Sequence, residues 1–289
     1  FLYDYFHEKS PNRKSNYKLY MASTYDAVAA NFVTQDYLDI VLARFGANEQ
    51  QKKRYLEGAW DIFEGRVYPA LDSAVHALDR FAIQPYHQLY ETIDHGSTNP
   101  TAVGWWIWTE PCPGCGQPTR VLVDEHYEGG GKGVAYHAAI IKTKRAQLPV
   151  KAQLTYLDSH CWAINQSKGE ITSSIHLEYV NEGIYPVPGA KNWDVAFSRI
   201  TRALQPCPFH RHPTTGVLGA PHLFYLKSCR HFEAEGLGYR WRKLAQSARR
   251  NAPDEPQDFK DHHMDALAYL EASNPAAAVA PIPKEDRSP

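Results

Sequence analysis

Three aspartates, one Cys-x-x-Cys pair and one run of arginines are the residues of this chain whose types and spacing could do chemistry. Asp94 ends an apolar-rich segment that begins at Leu89, and Asp158 ends another that begins at Gln153. Asp265 follows Asp261, His262 and His263 at the start of a stretch through Ala266, Leu267 and Leu270. Carboxylates gathered in one place repel and raise one another's pKa values, so such a cluster calls for a cation, and hard oxygen ligands suit Mg²⁺ or Mn²⁺. Two such ions about 4 Å apart can activate water and stabilise the leaving oxygen of a phosphodiester. Any one of these aspartates, taken alone, also reads as a turn or N-cap residue.

Cys112-Pro113-Gly114-Cys115 lies between two expected strands, the way a zinc ribbon presents a pair of thiolates. A Zn²⁺ site needs two more ligands, for which Cys207 with His210 or His212, and Cys229 with His231, are candidates. The alternative is a Pro-Gly hairpin turn with two free thiols. Arg240, Arg242, Lys243, Arg249 and Arg250 fall within eleven residues, interleaved with Tyr239 and Trp241. This is the best local candidate for DNA-phosphate binding, with little sequence specificity, although a solvated basic face reads the same way. Lys142, Lys144 and Arg145 close an expected helix, where cations favour the C-terminal dipole and need no ligand. Asp158-Ser159-His160-Cys161 offers a nucleophile and a base, but neighbours in a strand point to opposite faces, which excludes a relay among them.

The elements that must position these residues follow from periodicity. Leu89 to Asp94 and Ala102 to Trp108 read as a strand pair, the second buried on both faces, around the turn-forming His95-Gly96-Ser97-Thr98-Asn99-Pro100. Arg120 to Asp124 reads as a third strand, Val134 to Lys144 as a helix and Gln153 to Asp158 as a further strand. Trp193, Phe197, Ile200 and Leu204 share one helical face, and the stretch from Asp261 is helical. Upstream, Thr34 to Phe45 has helical spacing with Gly46 placed to end it, and a short helix runs through Lys53, Tyr55 and Leu56. A boundary is expected near residues 70 to 80. Strands alternating with helices imply an α/β sheet.

With 31 Lys+Arg against 32 Asp+Glu among 289 residues, the net charge of −1 leaves polyanion binding to local patches. The 43% hydrophobic and 22% charged content excludes a wholly disordered or fibrous chain. No apolar run is long enough for a membrane span. Five cysteines, odd and sparse, argue against a disulfide framework and for a reducing compartment. Ser273 to Pro289, with four prolines and no large apolar cluster, reads as a flexible tail.

Asp94-His95-Gly96, then Asn99-Pro100-Thr101-Ala102, then Asp158, then Asp261-His262-His263-Met264-Asp265-Ala266-Leu267 occur in an order that resembles the nuclease domain of the large terminase subunit of tailed bacteriophages. Gly183-Ile184-Tyr185-Pro186-Val187, Cys229 and Glu233 before Tyr239, Leu56-Glu57-Gly58-Ala59-Trp60 and Glu64-Gly65-Arg66-Val67-Tyr68-Pro69 extend the resemblance over most of residues 1 to 272. It implies an RNase H-like mixed sheet flanked by helices, and a metal-dependent endonuclease that cuts concatemeric duplex DNA with two Mg²⁺ or Mn²⁺ ions. Asp94, Asp158 and Asp265 would bind the metals, with His262 beside them as a ligand or proton handler and Asp261 either a helix cap or a further ligand. Residues 1–75 would be the end of an ATPase region and its linker, 76–272 the nuclease and 273–289 the tail. Gly129-Gly130-Gly131-Lys132-Gly133-Val134 lacks the hydroxyl residue of a P-loop, so no ATPase activity is expected of this chain. The implied partners are double-stranded DNA, the ATPase domain of the parent polypeptide, the portal and the small terminase subunit, in the host cytoplasm at the procapsid. The alternatives from other classes are a junction resolvase or transposase of the same fold, and a non-catalytic DNA-binding or assembly module.

Overall fold

A computed structural model describes residues 22–45, 56, 66–129, 131–163, 166–167, 170–171, 173–242, 256–258 and 260–279. The expected helix at Lys53 and Tyr55, the basic residues Lys243, Arg249 and Arg250, and the tail beyond residue 279 lie outside the described residues. The chain divides into two compact units, Phe1–Ala70 and Leu71–Pro289, at the near edge of the expected boundary.

In the first unit, α1 (Thr24–Ala29) starts with a capping box in which Ser23 and Asp26 satisfy each other's backbone N–H groups. The helix expected from Thr34 is α2 (Gln35–Phe45), and the Thr34 hydroxyl accepts the Tyr37 N–H.

The second unit opens with a single turn, α3 (Ser73–His76), and a short strand, β1 (Ala77–Leu78). Three long strands follow: β2 (Gln88–Asp94), β3 (Thr101–Pro111) and β4 (Pro118–Glu128). Then come α4 (Val134–Gln147), β5 (Ala152–Leu157), a two-stranded ribbon of β6 (Gln166–Ser167) and β7 (Glu170–Ile171), and α5 (Ile175–Asn181). The unit finishes with β8 (Val187–Pro188), α6 (Trp193–Ala203), β9 (Leu223–Leu226), α7 (Arg230–Gly238) and α8 (His262–Ser273). β9, α5 and α7 have no counterpart in the periodicity reading, because each is short and its apolar residues are a continuous run or too few to set a period.

The main sheet has the order β1-β9-β4-β3-β2-β5-β8. β2, β3 and β4 are antiparallel, β5 runs parallel to β2, and β8 runs parallel to β5. β3 sits at the centre and is buried from Thr101 to Trp108, so both its faces are apolar, as a strand covered by helices on both sides requires. Leu89, Val103, Trp105 and Val121 pack with Val134, Ala138 and Ile141 of α4 on one side. On the other, Trp106 meets Phe232 of α7 edge to face, and α8 lies across β2, β3 and β5. Gly104 makes room there: a Cβ would lie 2.7 Å from Trp106 Nε1.

Two buried ion pairs tie the layers together. Glu91, fully buried on β2, takes a bidentate bond from Arg145 of α4, with Arg145 Nε to Oε1 at 2.8 Å, and accepts from the Thr155 hydroxyl at 2.6 Å and Trp105 Nε1 at 3.0 Å. Lys144 reaches Asp124 and Lys142 reaches Glu182, so all three cations closing α4 have structural partners. On the opposite face Arg120 of β4 pairs with Glu271 of α8 and lies over the Trp108 ring. The tail reading is corrected for its first residues: Tyr90 Oη donates to the Ala276 carbonyl, the Ala278 N–H to the Thr109 carbonyl, and Ala278 is buried.

Removing one partner of a buried pair strands the other charge, at a cost of about 3–5 kcal/mol, whereas replacing both by apolar groups costs far less. Arg120→Met is therefore expected to lose about that much stability in urea denaturation, and Arg120→Met/Glu271→Leu to recover most of it. Equal losses in the single and double variants would refute the pairing as the source.

Candidate active site

The parallel pairing of β2 with β5 sets two acids side by side. Ile93 is in register with Leu157, the Asp158 N–H bonds to the Ile93 carbonyl, and so Asp94 and Asp158 leave the same end of neighbouring strands. α8 crosses this end and brings Asp261, His262 and Asp265. His262 Nδ1 donates to Asp94 Oδ2 at 2.9 Å, which raises its pKa against the opposing effect of burial. Tyr269, one turn beyond Asp265, donates to Asp158 Oδ2 at 3.1 Å. Lys191 Nζ lies 2.7 Å from Asp158 Oδ1, and the His160 N–H bonds to the same oxygen. All four residues assigned to the site from sequence therefore meet at one place.

The electrostatics separate the acids. Burial works against ionisation of Asp158, but Lys191 and the His160 N–H hold its pKa below the ordinary carboxylate value. Asp265 is pushed up to about 8, first by burial and then by Asp261, Asp94 and Asp158. Asp261 is pushed up to about 6 by burial and by Asp258. It occupies the N-cap position of α8, yet its side chain makes no capping hydrogen bond. Among the described residues no cation pairs with Asp265. Asp265 instead helps to line a cleft of about 230 Å³ with Lys191, Trp193 and Tyr269. Burial raises this pKa first, and the acids gathered around Asp265 add to it; such a set of oxygen donors suits a hard divalent cation.

Lys191 and Tyr269 were absent from the sequence reading. Tyr269 shares a helical face with Asp265 at four residues' spacing, a signal that could have found it, whereas Lys191 reaches the site only through the loop after β8. Tyr127 of β4 also borders the site, stacked on His231 at 4.5 Å and on His263 at 5.5 Å between ring centroids. Below it, Glu125 accepts the His231 and Phe232 N–H groups at the start of α7, where Cys229 gives no side-chain cap, and faces His263 Nε2 at 3.2 Å. Glu125 thus ties α7 to the first turn of α8.

Residues 159–162 form a 3₁₀ turn rather than a strand, so the geometric ground for rejecting a relay there is corrected. The rejection stands on chemistry: Cys161 is buried, and burial with Asp158 and Asp94 pushes its thiol up to about 12. Arg240 and Arg242 are exposed beyond α7, on either side of Trp241, which forms an isolated bridge with Pro256. Cys112 and Cys115 are joined by Cys207 and by His222, not by His210 or His212, while Cys229 and His231 lie apart from them. His210 is taken up by Thr119 and the Pro221 carbonyl, and His231 by Glu125.

Within the seven strands, β4, β3 and β2 are antiparallel and β5 and β8 follow them in parallel, an RNase H-like α/β order, with acids at the ends of β2 and β5 and on α8. No family model matches the sequence, and no curated protein matches it. Among solved structures, the chain is similar to the large terminase of a thermophilic bacteriophage. In complex with ADP, that protein is 17% identical over 88% of this chain and 54% of its own, at a TM-score of 0.54. A second crystal form of the same protein is 16% identical over 92% of this chain and 63% of its own, at a TM-score of 0.53. The P22 large terminase nuclease domain is 12% identical over 72% of this chain and 91% of that domain, at a TM-score of 0.49. The chain spans between about half and two thirds of the length of the thermophilic phage's terminase chains.

Two outcomes follow from these charges. Asp265, with its pKa raised from 3.8 to about 8, costs folding stability that grows as pH rises between those values. Asp265→Asn is expected to raise the midpoint of thermal unfolding in EDTA at pH 8 by about 2 °C or more, the shift that about 1 kcal/mol gives in a domain of this size, and to abolish any rise on adding Mn²⁺. Glu125 has the opposite sign. Its burial opposes ionisation, but His263 and the two backbone N–H groups hold it at about 2, below its ordinary 4.5. Its stabilisation is present above pH 4.5 and disappears as pH falls toward 2. Urea denaturation should show Glu125→Gln less stable than the parent chain by about 1–3 kcal/mol at pH 7, with the gap narrowing through that acid range.

Proposed function

We propose that this chain is a metal-dependent DNA endonuclease of the viral genome-packaging terminase type, cutting concatemeric duplex DNA by phosphodiester hydrolysis. The observation that carries this reading is the set of Asp94, Asp158 and Asp265 at one end of an RNase H-like sheet, with the pKa of Asp265 pushed up to about 8 by burial and then by the neighbouring acids. Those three carboxylates would hold two Mg²⁺ or Mn²⁺ ions, which when bound supply Lewis-acid neutralisation of the phosphate and activation of water.

The chain's own residues do the rest. His262, charged more readily because of its bond to Asp94, is placed to hold or deliver a proton at Nδ1. Lys191 and Tyr269 orient Asp158 from the side of the cleft, and Lys191 adds positive charge where a phosphate backbone would approach. Arg240 and Arg242 would extend the backbone contact, joined by Lys243, Arg249 and Arg250 from the same segment. The likeness to the thermophilic phage terminase supports the fold, and through it the wider setting of this proposal: duplex DNA as substrate, an ATPase domain in the parent polypeptide, and a portal and small subunit as partners in the host cytoplasm. Among the described residues no helix is long and apolar enough to cross a membrane.

Plasmid cleavage by the purified chain in EDTA, Mg²⁺ and Mn²⁺ tests the reading. Nicking or linearisation is expected with either ion and not in EDTA, and Asp94→Ala or Asp265→Ala should lower it by at least a hundredfold, the scale of losing an electrostatic element of a site. Retained cleavage in folded Asp94→Ala would remove the assignment. Preferential cutting of branched over linear DNA would point to a resolvase, and tight metal-independent DNA binding with no cleavage under any ion would leave a binding module.

A further inference from the structure

The opposite end of the same sheet carries a second cluster, built from different chemistry. The donor atoms of Cys112, Cys115, Cys207 and His222 all lie within 4.8 Å of one another, and Cys115 Sγ is 3.2 Å from His222 Nε2. Cys112, Cys207 and His222 are buried, and all five cysteines of the chain are free. We propose that these four residues form a structural Zn²⁺ site of the three-cysteine, one-histidine class.

The geometry agrees with the size of that ion. Zinc bonds to sulfur at about 2.3 Å in a tetrahedron, which sets sulfurs about 3.8 Å apart, so shifts on the order of 1 Å, with Cys115 and His222 moving slightly apart, complete the site. The local backbone is already shaped for it. The Cys112 N–H bonds to the Gln117 carbonyl, the Gly116 N–H returns to the Cys112 carbonyl, and Gly116 takes a positive φ of 73° that an L side chain rarely adopts. Gly114 lies against Phe209, two residues beyond Cys207, so closely that a Cβ would stand 2.2 Å from the ring. The turn between β3 and β4 is thereby pressed onto the loop carrying the third ligand. His222 is fixed from both sides, its N–H on the Ala203 carbonyl and its carbonyl on the Arg120 N–H.

Four protein ligands leave no open position, which is the structural and not the catalytic arrangement of zinc. On binding, each cysteine gives up its thiol proton to solvent and the imidazole binds as its neutral form. The ion then joins the hairpin end of β3 and β4 to the loop after α6 and the start of β9, whose ligands lie 92 and 107 residues beyond Cys115.

The test is the metal content of the whole chain purified in reductant without added metal, followed by exchange with Co²⁺. One zinc per chain is expected, retained on dialysis against EDTA that strips Mg²⁺ and Mn²⁺, and Co²⁺ should give the intense thiolate-to-metal charge-transfer band that carboxylate sites lack. Cys112→Ser/Cys115→Ser should lose both signals and His222→Cys should keep zinc as a four-thiolate site. Zinc at the parent level in the double serine variant would overturn the proposal. A parent chain that holds no zinc, takes up none on refolding with Zn²⁺ and shows no charge-transfer band would also overturn it, whether or not the variants fold.

Discussion

Like charges held together need a scaffold stiffer than their repulsion, and this constraint organises the second unit. Asp94 and Asp158 cannot move apart because they leave adjacent parallel strands whose ladder continues one residue before each. Asp265 cannot withdraw because α8 is fastened along its length. Glu235 accepts the His263 N–H near its start, Arg120 pairs with Glu271 near its end, and Arg199 bonds to the Glu271 carbonyl. The chain then returns across the sheet, where Ala276 and Ala278 bond to β2 and β3 residues. The sheet beneath is held in turn by Glu91, whose bonds reach β3, β5 and α4 at once. The buried acids Glu91 and Glu271 thus have an arginine inside the fold, whereas the half-buried Asp265 has no cation partner among the described residues.

Much of this was legible in the sequence because period and punctuation agreed. Leu89 to Asp94 and Ala102 to Trp108 were readable as a strand pair since β-branched and aromatic residues ran up to a Gly-Ser-Thr-Asn-Pro turn, and the structure extends each by only a few residues. Asp94, Asp158 and Asp265 were readable as one site only through the order of their motifs, because nothing in spacing says that residues 64 and 107 positions apart will meet. The pairing of β2 with β5 is what makes them meet, and pairing is a long-range property. The same limit explains the thiol cluster. Cys112 and Cys115 announced half a site, but the fourth ligand was sought at His210 or His212, close to Cys207 in the chain, when strand β9 delivers His222 from beyond a loop. Local spacing favoured the nearer histidines; the parallel register of β9 beside β4 decided otherwise.

The two ends of the sheet also divide labour by ligand chemistry. Hard oxygen donors with one side open to a cleft suit ions that exchange with solvent and substrate. Soft thiolates closed around by Gly114, Phe209 and the β3–β4 turn suit an ion that stays. β3 and β4 span both ends, since Ala102 pairs with Tyr127 near the acids and Pro111 with Pro118 near the thiols. Fixing the thiol end holds the register of the strands that carry Glu125 and Tyr127, and these in turn border α7 and α8.

The asymmetry among the acids says where a positive charge belongs. Lys191 and Tyr269 both attend Asp158, and His262 attends Asp94, so each strand-end acid has a donor on one side and presents its remaining lone pairs elsewhere. Asp265 has none among the described residues, and it is the one whose pKa climbs furthest. A site meant only to be stable would place a lysine or arginine against it, as α4 does for Glu91. Leaving this acid unpaired beside a cleft would instead keep its affinity for a cation, at the expense of the metal-free fold. The carboxylate that costs the fold most on ionising is therefore the one a bound cation would stabilise most.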